Sequence, residues 1–284
     1  MSNIKTLVRG AYDIQKLRIQ MGNRIVGNFK AKLGQEPSKP EAEIDAKGKM
    51  LLNQIRASYK KITDGVKTFP RRAKFKGDGV IDDYTELCLV SSYVGLEREE
   101  KQHFIFLKNV LADYPIYQSF LLHVKGVGAA MGGVIVSEID ISKAKYPSSL
   151  WMYAGLDVAA DGVGRSRKKE HLVETEYISK DGEVKKKKGI TFNPFLKTKL
   201  VGVLGSSFLK VKESPYKDSY YQYKARLENH PNHKEKTKGH RHNMAMRYIV
   251  KLFLIDLHRE WRLLEGLSVS SPYSEGKLGM KHGS

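Results

Sequence analysis

The stretch that decides the fold is residues 121–136, LLHVKGVGAAMGGVIV, an apolar run interrupted by four glycines. Glycine lets the backbone turn sharply and lie close to a neighbouring group. Apolar residues on both sides are typical of two short helices joined by a tight turn. We therefore interpret this stretch as a helix-hairpin-helix element whose second helix begins just after Gly128.

An element of this kind is a candidate phosphate-binding site. Free amide groups at the start of a helix, together with the helix dipole, attract an anion. Gly126, Gly128 and the amides of Ala129 and Ala130 would make this contact. The alternative is a tight turn packed inside a core, where the glycines serve only the contact between helices.

The residues before this element predict long helices. An apolar face repeats at alternating steps of three and four, with Arg18 on the same face: Ile4, Leu7, Ala11, Ile14, Met21 and Ile25. This heptad pattern predicts a coiled-coil helix and a homo-oligomer formed through residues 4–25. Further helices are expected over residues 40–64 and 81–111. Glycine and proline predict loops at residues 34–40 and 65–79, the second of which carries Lys67, Arg71, Arg72, Lys74 and Lys76.

The residues after it predict shorter helices and one insertion. Asp113-Tyr-Pro115 marks a boundary, and helices are expected at residues 148–155, 193–211, 216–230 and 240–265. Residues 157–190 form a basic insertion with at most a short hairpin around residues 173–184. The fold class is thus mainly α, with a helical coiled-coil arm (1–113), a helix-hairpin-helix domain (114–270) and a tail (271–284).

Composition favours a polyanionic partner. The chain has 50 Lys and Arg against 31 Asp and Glu, a net charge of +19, which points to nucleic acid, with a surface that keeps a basic protein soluble as the alternative. The single cysteine, Cys88, excludes a disulfide scaffold and a thiolate zinc site. The apolar run 126–137 is too short to cross a membrane. Lys5, Arg9, Lys16 and Arg18 argue against a signal peptide, so we expect a cytoplasmic protein with no membrane partner.

The positive charge is concentrated around one serine and in the last third of the chain. Residues 165–188 hold nine cations and five acids, a net charge of +4, and residues 224–251 hold eight and two, a net charge of +6. In Asp161-Gly-Val-Gly-Arg165-Ser166-Arg167-Lys168-Lys169, cations could stabilise charge on the serine oxygen or on a phosphate that it attacks. The nearest candidate base is His171.

Other polar groups near the end of the chain have two interpretations each. Arg247, Lys251, His258 and Arg262 share a stripe about 60° wide on the last helix, which suits either a phosphate backbone or a solvated face. Tyr216, Tyr220, Tyr221 and Tyr223, mixed with cations, suit either stacking on bases or a helical core. His230, His233, His240 and His242 lack a cysteine or carboxylate companion, so no metal site is predicted.

Several segments together resemble one transposase family. They are Lys125-Gly-Val-Gly128, Leu150-Trp-Met-Tyr-Ala-Gly-Leu156 and Gly239-His-Arg-His-Asn-Met-Ala-Met-Arg247, with Trp261-Arg-x-x-Glu265 and Pro272-Tyr273. They resemble the C-terminal domain of the IS one-ten (DEDD) insertion-sequence transposases. The N-terminal helices, with Leu17-Arg-Ile-Gln-x-Gly22, are similar to the coiled-coil region that precedes that domain, so the likeness spans most of the chain.

The resemblance implies a DNA-binding protein that takes part in strand cleavage and exchange, with DNA and a structured guide RNA as partners. It implies Ser166 as the nucleophile. Magnesium would be held by acidic residues of an RNase H-like domain, which is expected from elsewhere because the sequence starts at the coiled coil; Asp82, Asp83 and Glu86 look like a helix N-terminus instead. Residues expected to bind nucleic acid are Gly126, Gly128, Ala129, Arg165, Arg167, Lys168, Lys169, Arg241, Arg247 and Lys251.

Two other functions stay open. A non-catalytic nucleic-acid-binding protein derived from a transposase would keep the scaffold without the chemistry. A structural protein that uses the coiled coil alone would explain the N-terminal helices but not the basic second half.

Overall fold

The computed structural model describes residues 3–36, 44–66 and 68–271, and it is mainly helical. The chain divides into a first compact unit, Thr6–Leu107, and a second that holds the residues from Lys108 onward together with the first few residues. The division lies close to the predicted boundary at residue 113. Predictions for residues 37–43, for Lys67, and for residues 272–284 with Pro272-Tyr273, lie outside the described residues.

The long helices of the first unit follow the apolar periodicity. Helix α1 covers Asn3–Lys32, α2 covers Ala46–Thr63 and α3 covers Tyr84–Leu111. Helix α2 starts later than predicted, because the carboxylate of Asp45 accepts the Gly48 amide at 2.6 Å and so caps it. The predicted basic loop contains one short 3₁₀ turn, Arg72–Lys74.

Apolar side chains of all these helices form the core of the first unit. The buried cluster consists of Ile25, Val26, Phe29, Leu52, Ile55, Ile81, Leu87, Val90 and Tyr93. Ile25, one of the heptad positions, therefore packs against helices of its own chain. The homo-oligomer through residues 4–25 stays a prediction.

Charged side chains of α3 bind other helices of the first unit. The Arg56 guanidinium contacts the Glu97 carboxylate at 2.8 Å, and Arg18 pairs with Glu100. The carboxylate of Glu86 accepts the backbone amide of Asp82 at 3.0 Å, as expected at a helix start. The prediction that these acidic residues mark a helix N-terminus is confirmed.

In the second unit, proline sets the start of several helices. Its fixed φ suits the first helical position, where no amide hydrogen is needed. Helix α4 covers Pro115–Ser119, α5 Ala129–Glu138 and α6 Pro147–Tyr153; α7 covers Pro194–Lys197, α8 Gly205–Lys210, α9 Pro215–Asn229 and α10 Lys238–Leu264. A π-helical segment, Thr198–Leu204, joins α7 to α8, so the helix predicted over residues 193–211 is continuous but locally widened.

The core of the second unit is built around α10. Phe253 of this helix is fully buried and meets the rings of Phe208 at 5.7 Å and Tyr216 at 5.8 Å. Tyr216 and Tyr220 are both buried, so the core interpretation is the correct one for these two tyrosines. Tyr221 is exposed, and Tyr223 is half-buried.

The glycine-rich stretch forms a turn between short helices. A 3₁₀ turn at Leu121–His123 follows α4, the chain turns at Gly126 with φ +101°, and α5 begins after Gly128. A Cβ at Gly126 would lie 3.1 Å from the Phe208 ring, and one at Gly132 would lie 2.7 Å from the Tyr117 ring. Packing against Tyr117 requires glycine at position 132, and the positive φ favours it at position 126.

The basic insertion contains the expected hairpin. Strand β1, Val173–Ile178, pairs antiparallel with β2, Val184–Gly189, and nearly every side chain is exposed. The run Lys185–Lys188 lies in β2. Lys186 and Lys188 lie opposite Glu176 and Glu174 in the ladder, and the Lys186 ammonium is 3.4 Å from the carboxylate of Glu174, its diagonal neighbour. No helix in the described part of the chain is long and apolar enough to cross a membrane.

The close approach at Gly132 can be tested with a matched glycine. We expect Gly132→Ala to lower the free energy of unfolding by about 1–3 kcal/mol, because a methyl group would overlap the buried Tyr117 ring. Gly202→Ala, on an open helical surface in the same unit, should leave it unchanged or raise it by up to about 1 kcal/mol. Urea unfolding measures both, and equal effects would contradict the packing argument.

Candidate functional site

A tight turn in the second unit positions the predicted nucleophile. The Ala159 amide donates to the Val163 carbonyl at 2.8 Å, and the Arg165 amide donates to the Asp157 carbonyl at 3.0 Å. Gly162 provides the left-handed residue that this turn needs, with φ +74°. The chain then passes through Ser166 into a short 3₁₀ turn, Lys169–His171, which brings the histidine back beside the serine.

Ser166, His171 and Asp161 form a continuous chain of hydrogen bonds. Ser166 Oγ lies 2.9 Å from His171 Nδ1, and His171 Nε2 lies 2.9 Å from Asp161 Oδ2. The imidazole is buried, with only 3% of the residue exposed, whereas Ser166 is half-buried. We call these three residues the serine triad.

The hydrogen-bond partners determine which imidazole nitrogen carries the proton. The backbone amide of Ser166, which can only donate, points at His171 Nδ1 at 2.9 Å. Nδ1 must therefore accept, and in the neutral ring the proton lies on Nε2 and is donated to Asp161. A nitrogen that accepts beside a hydroxyl group is the arrangement a general base requires.

Asp161 orients the histidine. It accepts from His171 and from the Val163 amide, at 2.9 Å, and these hydrogen bonds, that from His171 first, hold the pKa of its carboxyl below the usual range. A permanently charged carboxylate stabilises an imidazolium that forms on the other side. Sequence reasoning gave Asp161 no role, although its spacing of five residues before Ser166 equals that between Ser166 and His171.

The triad uses the ring nitrogens in the opposite order from the serine proteases. In those enzymes Nε2 faces the serine and Nδ1 faces the aspartate. Here Nδ1 faces Ser166 and Nε2 faces Asp161. The Nδ1 lone pair is also shared between the hydroxyl and the backbone amide of the same serine, so the hydroxyl has a competitor for the base.

Cations surround Asp157 beside the triad. Arg165 Nε donates to Asp157 Oδ2 at 2.6 Å, and Arg247 Nη2 donates to the Asp157 carbonyl at 3.1 Å. Lys197 Nζ donates to the Arg165 carbonyl at 2.5 Å, and Lys251 lies over the Trp151 ring at 5.1 Å. Among the described residues here, positive charge exceeds negative charge, which favours an anion.

Burial makes these cations costly to keep charged. It lowers the pKa of Lys197 to about 8, with a further contribution from the charge of Arg247. Burial likewise lowers the pKa of Arg247 and of Lys251. A bound anion would relieve this cost, because an opposite charge favours the protonated form.

The other residues predicted to bind nucleic acid do not all lie at the triad. Arg167, Lys168 and Lys169 are exposed around Ser166. Arg241 donates to the carbonyls of Lys234, at 2.8 Å, and Lys236, so its guanidinium is partly engaged within its own loop. The remaining three, Gly126, Gly128 and Ala129, lie at the turn before α5, and in the described residues they take no part in the hydrogen bonds of the triad.

The cationic stripe on α10 is not the exposed surface that the sequence suggested. His258 is fully buried and donates from Nε2 to the Ala144 carbonyl at 2.9 Å. Arg262 is 5% exposed and donates to the carbonyls of Ala144, at 3.0 Å, and Ile141, at 3.3 Å. A buried carbonyl needs a donor, and at Ala144 these two side chains supply it; the Ile141 carbonyl also accepts the Ala144 amide at 3.1 Å. Only Arg247 and Lys251 of the stripe remain beside the triad.

His230, His233 and His242 contact other side chains of the second unit. His242 Nδ1 lies 2.6 Å from the Tyr220 hydroxyl, and the rings of His230 and His233 are 4.8 Å apart. Within residues 3–36, 44–66 and 68–271, no group of three or more His, Cys, Asp or Glu side chains is arranged to hold a metal ion.

The cost of keeping Lys197 charged predicts a pH dependence. Its folded-state pKa of about 8 lies below the ordinary 10.5, so the unfolded chain binds more protons between these values and the stability of the wild-type protein rises with pH there. Lys197→Met should therefore gain most relative to wild type at pH 7. By pH 10 that gain should shrink by on the order of 1 kcal/mol, allowing for solvent screening of a half-exposed group.

Urea unfolding at the two pH values measures this difference. The size of the effect at one pH also includes the removal of the hydrogen bond to Arg165, so the change with pH is the decisive quantity. Lys210→Met, at an exposed position, is the control and should show no such change. A pH-independent difference for Lys197→Met would contradict the argument.

The chain matches no protein-family model, no curated protein and no solved structure. The site is therefore interpreted from its own geometry.

Proposed function

We propose that this protein is a transposase-type DNA-binding protein in which Ser166 attacks a phosphodiester bond. The observation that carries the proposal is the serine triad, with Ser166 Oγ 2.9 Å from an imidazole nitrogen that must accept. It lies among cations in a loop that resembles the nucleophile loop of the IS one-ten family. The proposal is thus a DNA strand-transfer enzyme with a serine nucleophile.

The proposed step is a transesterification. The Ser166 hydroxyl gives its proton to His171 Nδ1 as its oxygen forms a bond to phosphorus. The bond from phosphorus to one deoxyribose oxygen breaks, and that oxygen takes up a proton from the imidazolium. Between these two proton transfers, Asp161 stabilises the imidazolium through its hydrogen bond with His171 Nε2. A hydroxyl of a second strand then attacks the phosphorus, the bond from phosphorus to Ser166 Oγ breaks, and the serine oxygen takes back its proton. This second transesterification completes strand exchange.

Nearby cations support a phosphate at this position. Arg165 and Lys197 lie next to the serine, and the partly buried positive charge around Asp157 would stabilise charge that develops on phosphate oxygens. Arg167, Lys168 and Lys169 are exposed and available for the flanking strand. Such contacts position the nucleic acid without reading its sequence.

The wider architecture of the proposal comes from the resemblance. The turn before α5 would act as a helix-hairpin-helix element, with the amides of Ala129 and Ala130 contacting a second phosphate. Helix α1 would act as a coiled-coil arm that brings two copies together. Magnesium would be bound by acidic residues of another domain or chain, and a structured RNA would serve as guide.

One observation favours the second candidate function, a non-catalytic nucleic-acid-binding protein. The backbone amide of Ser166 donates to the same His171 nitrogen as its hydroxyl. The triad can therefore serve as a structural clamp that holds the basic loop in one conformation. In that case the cations bind nucleic acid, and Ser166 never forms a bond to phosphorus.

Reactivity of the serine distinguishes the two functions. A fluorophosphonate probe forms a bond from an activated serine oxygen to phosphorus with loss of fluoride, and mass spectrometry locates it. We expect labelling of Ser166, its loss in Ser166→Ala, and a rate lower by about 10²–10⁴-fold in His171→Asn. When nicked duplex DNA, magnesium and an acidic RNase H-like partner are supplied together, a covalent protein–DNA adduct should follow the same order across these variants.

The matched control is Ser179→Ala, in the turn of the hairpin, which should label like the wild type. An adduct that persists in Ser166→Ala would rule out this nucleophile. Wild-type protein that binds DNA but leaves Ser166 unlabelled would support the clamp and the non-catalytic function.

Nucleic-acid binding is tested by its salt dependence. Replacing Arg167, Lys168 and Lys169 with Gln should lower the slope of log K against log salt by about 0.9 for each phosphate that the variant no longer neutralises. The same charge change at Lys186, Lys187 and Lys188 on β2 should have a smaller effect. Fluorescence anisotropy with a labelled duplex or stem-loop RNA measures both. Equal slopes for the two variants would mean that only the net charge of the protein determines binding, not the position of the cations beside Ser166. No binding at low salt would exclude both proposed functions.

A further inference from the structure

A cleft lies beside the loop that carries the triad, and no ligand for it has been assigned above. Residues 158 and 162–164 form one wall, and side chains of α9 and α10 form the other. Its volume is about 740 Å³. This falls within the range of roughly 300–1,000 Å³ typical of small-molecule sites. Gly164, at its edge, is followed two residues later by Ser166.

One end of the cleft is cationic. Arg247 and Lys251 line this end, whereas Lys236, His233 and His240 line the cleft near the start of α10, and none of the described lining residues is acidic. The Arg247 guanidinium is held against the loop by its hydrogen bonds to the carbonyls of Gly155 and Asp157, and it lies so close that a Cβ at Gly164 would be 2.7 Å from its central carbon. An anionic group is therefore the complementary ligand for this end.

The remainder of the cleft is aromatic and apolar. Tyr223 of α9 and Tyr248 of α10 both line it, and their rings stack face to face, 4.1 Å apart and inclined by 11°. Leu156, Val163 and Met244 add apolar surface. Stacked tyrosines beside cations form a platform of the kind on which proteins hold unpaired bases.

We infer that this cleft binds one nucleotide, with its phosphate on Arg247 and Lys251 and its base against Tyr223 and Tyr248. The inference rests on the proposed nucleic-acid function but not on Ser166 chemistry. The phosphate of a nucleotide matches the charge of Arg247 and Lys251, and its flat base matches the tyrosine rings. A single nucleotide also fits the volume of the cleft. It comes either from a strand, as an unpaired residue, or from solution as a free nucleotide.

The position of the cleft beside the loop that carries Ser166 would let it hold the strand that is cleaved. A strand anchored there by one unpaired nucleotide leads directly along the loop to Ser166, since the cleft wall ends at Gly164. The base would be taken out of its stack before cleavage, which costs least in a single-stranded or mismatched region. The cleft would thus favour strands that are already locally open.

The test uses 2-aminopurine, a fluorescent base that is quenched when it stacks on an aromatic ring. Probes are 2-aminopurine deoxyriboside, its 5′-monophosphate, and a short single strand with one 2-aminopurine. Wild-type protein should quench the monophosphate and the strand and bind the nucleoside about tenfold more weakly than the monophosphate. Tyr223→Leu should lose the quenching and about tenfold in affinity. Lys251→Gln should lose about tenfold for the monophosphate but not for the nucleoside.

Tyr221→Leu is the matched control, because Tyr221 lies on the same helix, is exposed, and does not line the cleft. Thermal melting of each variant checks folding, and the nucleoside comparison for Lys251→Gln gives a readout that loss of folding could not produce. Equal effects of Tyr221→Leu and Tyr223→Leu, or equal binding of nucleoside and monophosphate, would overturn the inference.

The remaining outcomes separate the two proposals. Strand binding without quenching, unchanged in Tyr223→Leu, overturns the cleft inference and leaves nucleic-acid binding intact. Quenching of the monophosphate without strand binding supports the cleft and identifies free nucleotide as its ligand, while it counts against the proposed function. Absence of both overturns the cleft inference along with the proposed binding.

Discussion

Hydrogen bonds from side chains of α10 to backbone carbonyls of irregular segments are the interaction on which the second unit depends. Arg247 donates to the carbonyls of Gly155 and Asp157, His258 to that of Ala144, and Arg262 to those of Ile141 and Ala144. A buried carbonyl without a donor is costly, and α10 supplies donors for the carbonyls of Gly155 and Ala144, whereas those of Asp157 and Ile141 also accept backbone amides. This requirement keeps the loop before Ser166 next to α10 and thereby places positive charge beside the triad.

The same requirement explains which parts of the structure the sequence could predict. Helix positions follow from apolar periodicity and from prolines such as Pro115 and Pro215, which are local signals. The stripe on α10 was also visible, but its acceptors lie about a hundred residues earlier in the chain. A stripe of cations looks the same in a sequence whether it meets water, phosphate or carbonyl oxygens, so the exposed interpretation was wrong for His258 and Arg262.

Within the candidate site, the sequence identified the chemistry of single residues better than their geometry. Ser166 and its neighbouring cations stood out by composition, and His171 was the nearest base. Asp161 could not be recognised from the sequence, because its role depends on a turn at Gly162 that brings its carboxylate to the far side of the imidazole. The tyrosines divide in the same way: a mixed aromatic and basic segment cannot reveal that Tyr220 is buried while Tyr223 lines a cleft.

The short span of the serine triad has a consequence for its dynamics. Asp161, Ser166 and His171 lie within eleven consecutive residues and are joined by contacts that close only five or ten residues of chain. Little loop entropy is lost in forming them, and all three belong to one segment. A local unfolding event that opens this segment would dismantle the whole triad while α10 and its core stay folded. The site can therefore have a lower stability than the protein that carries it.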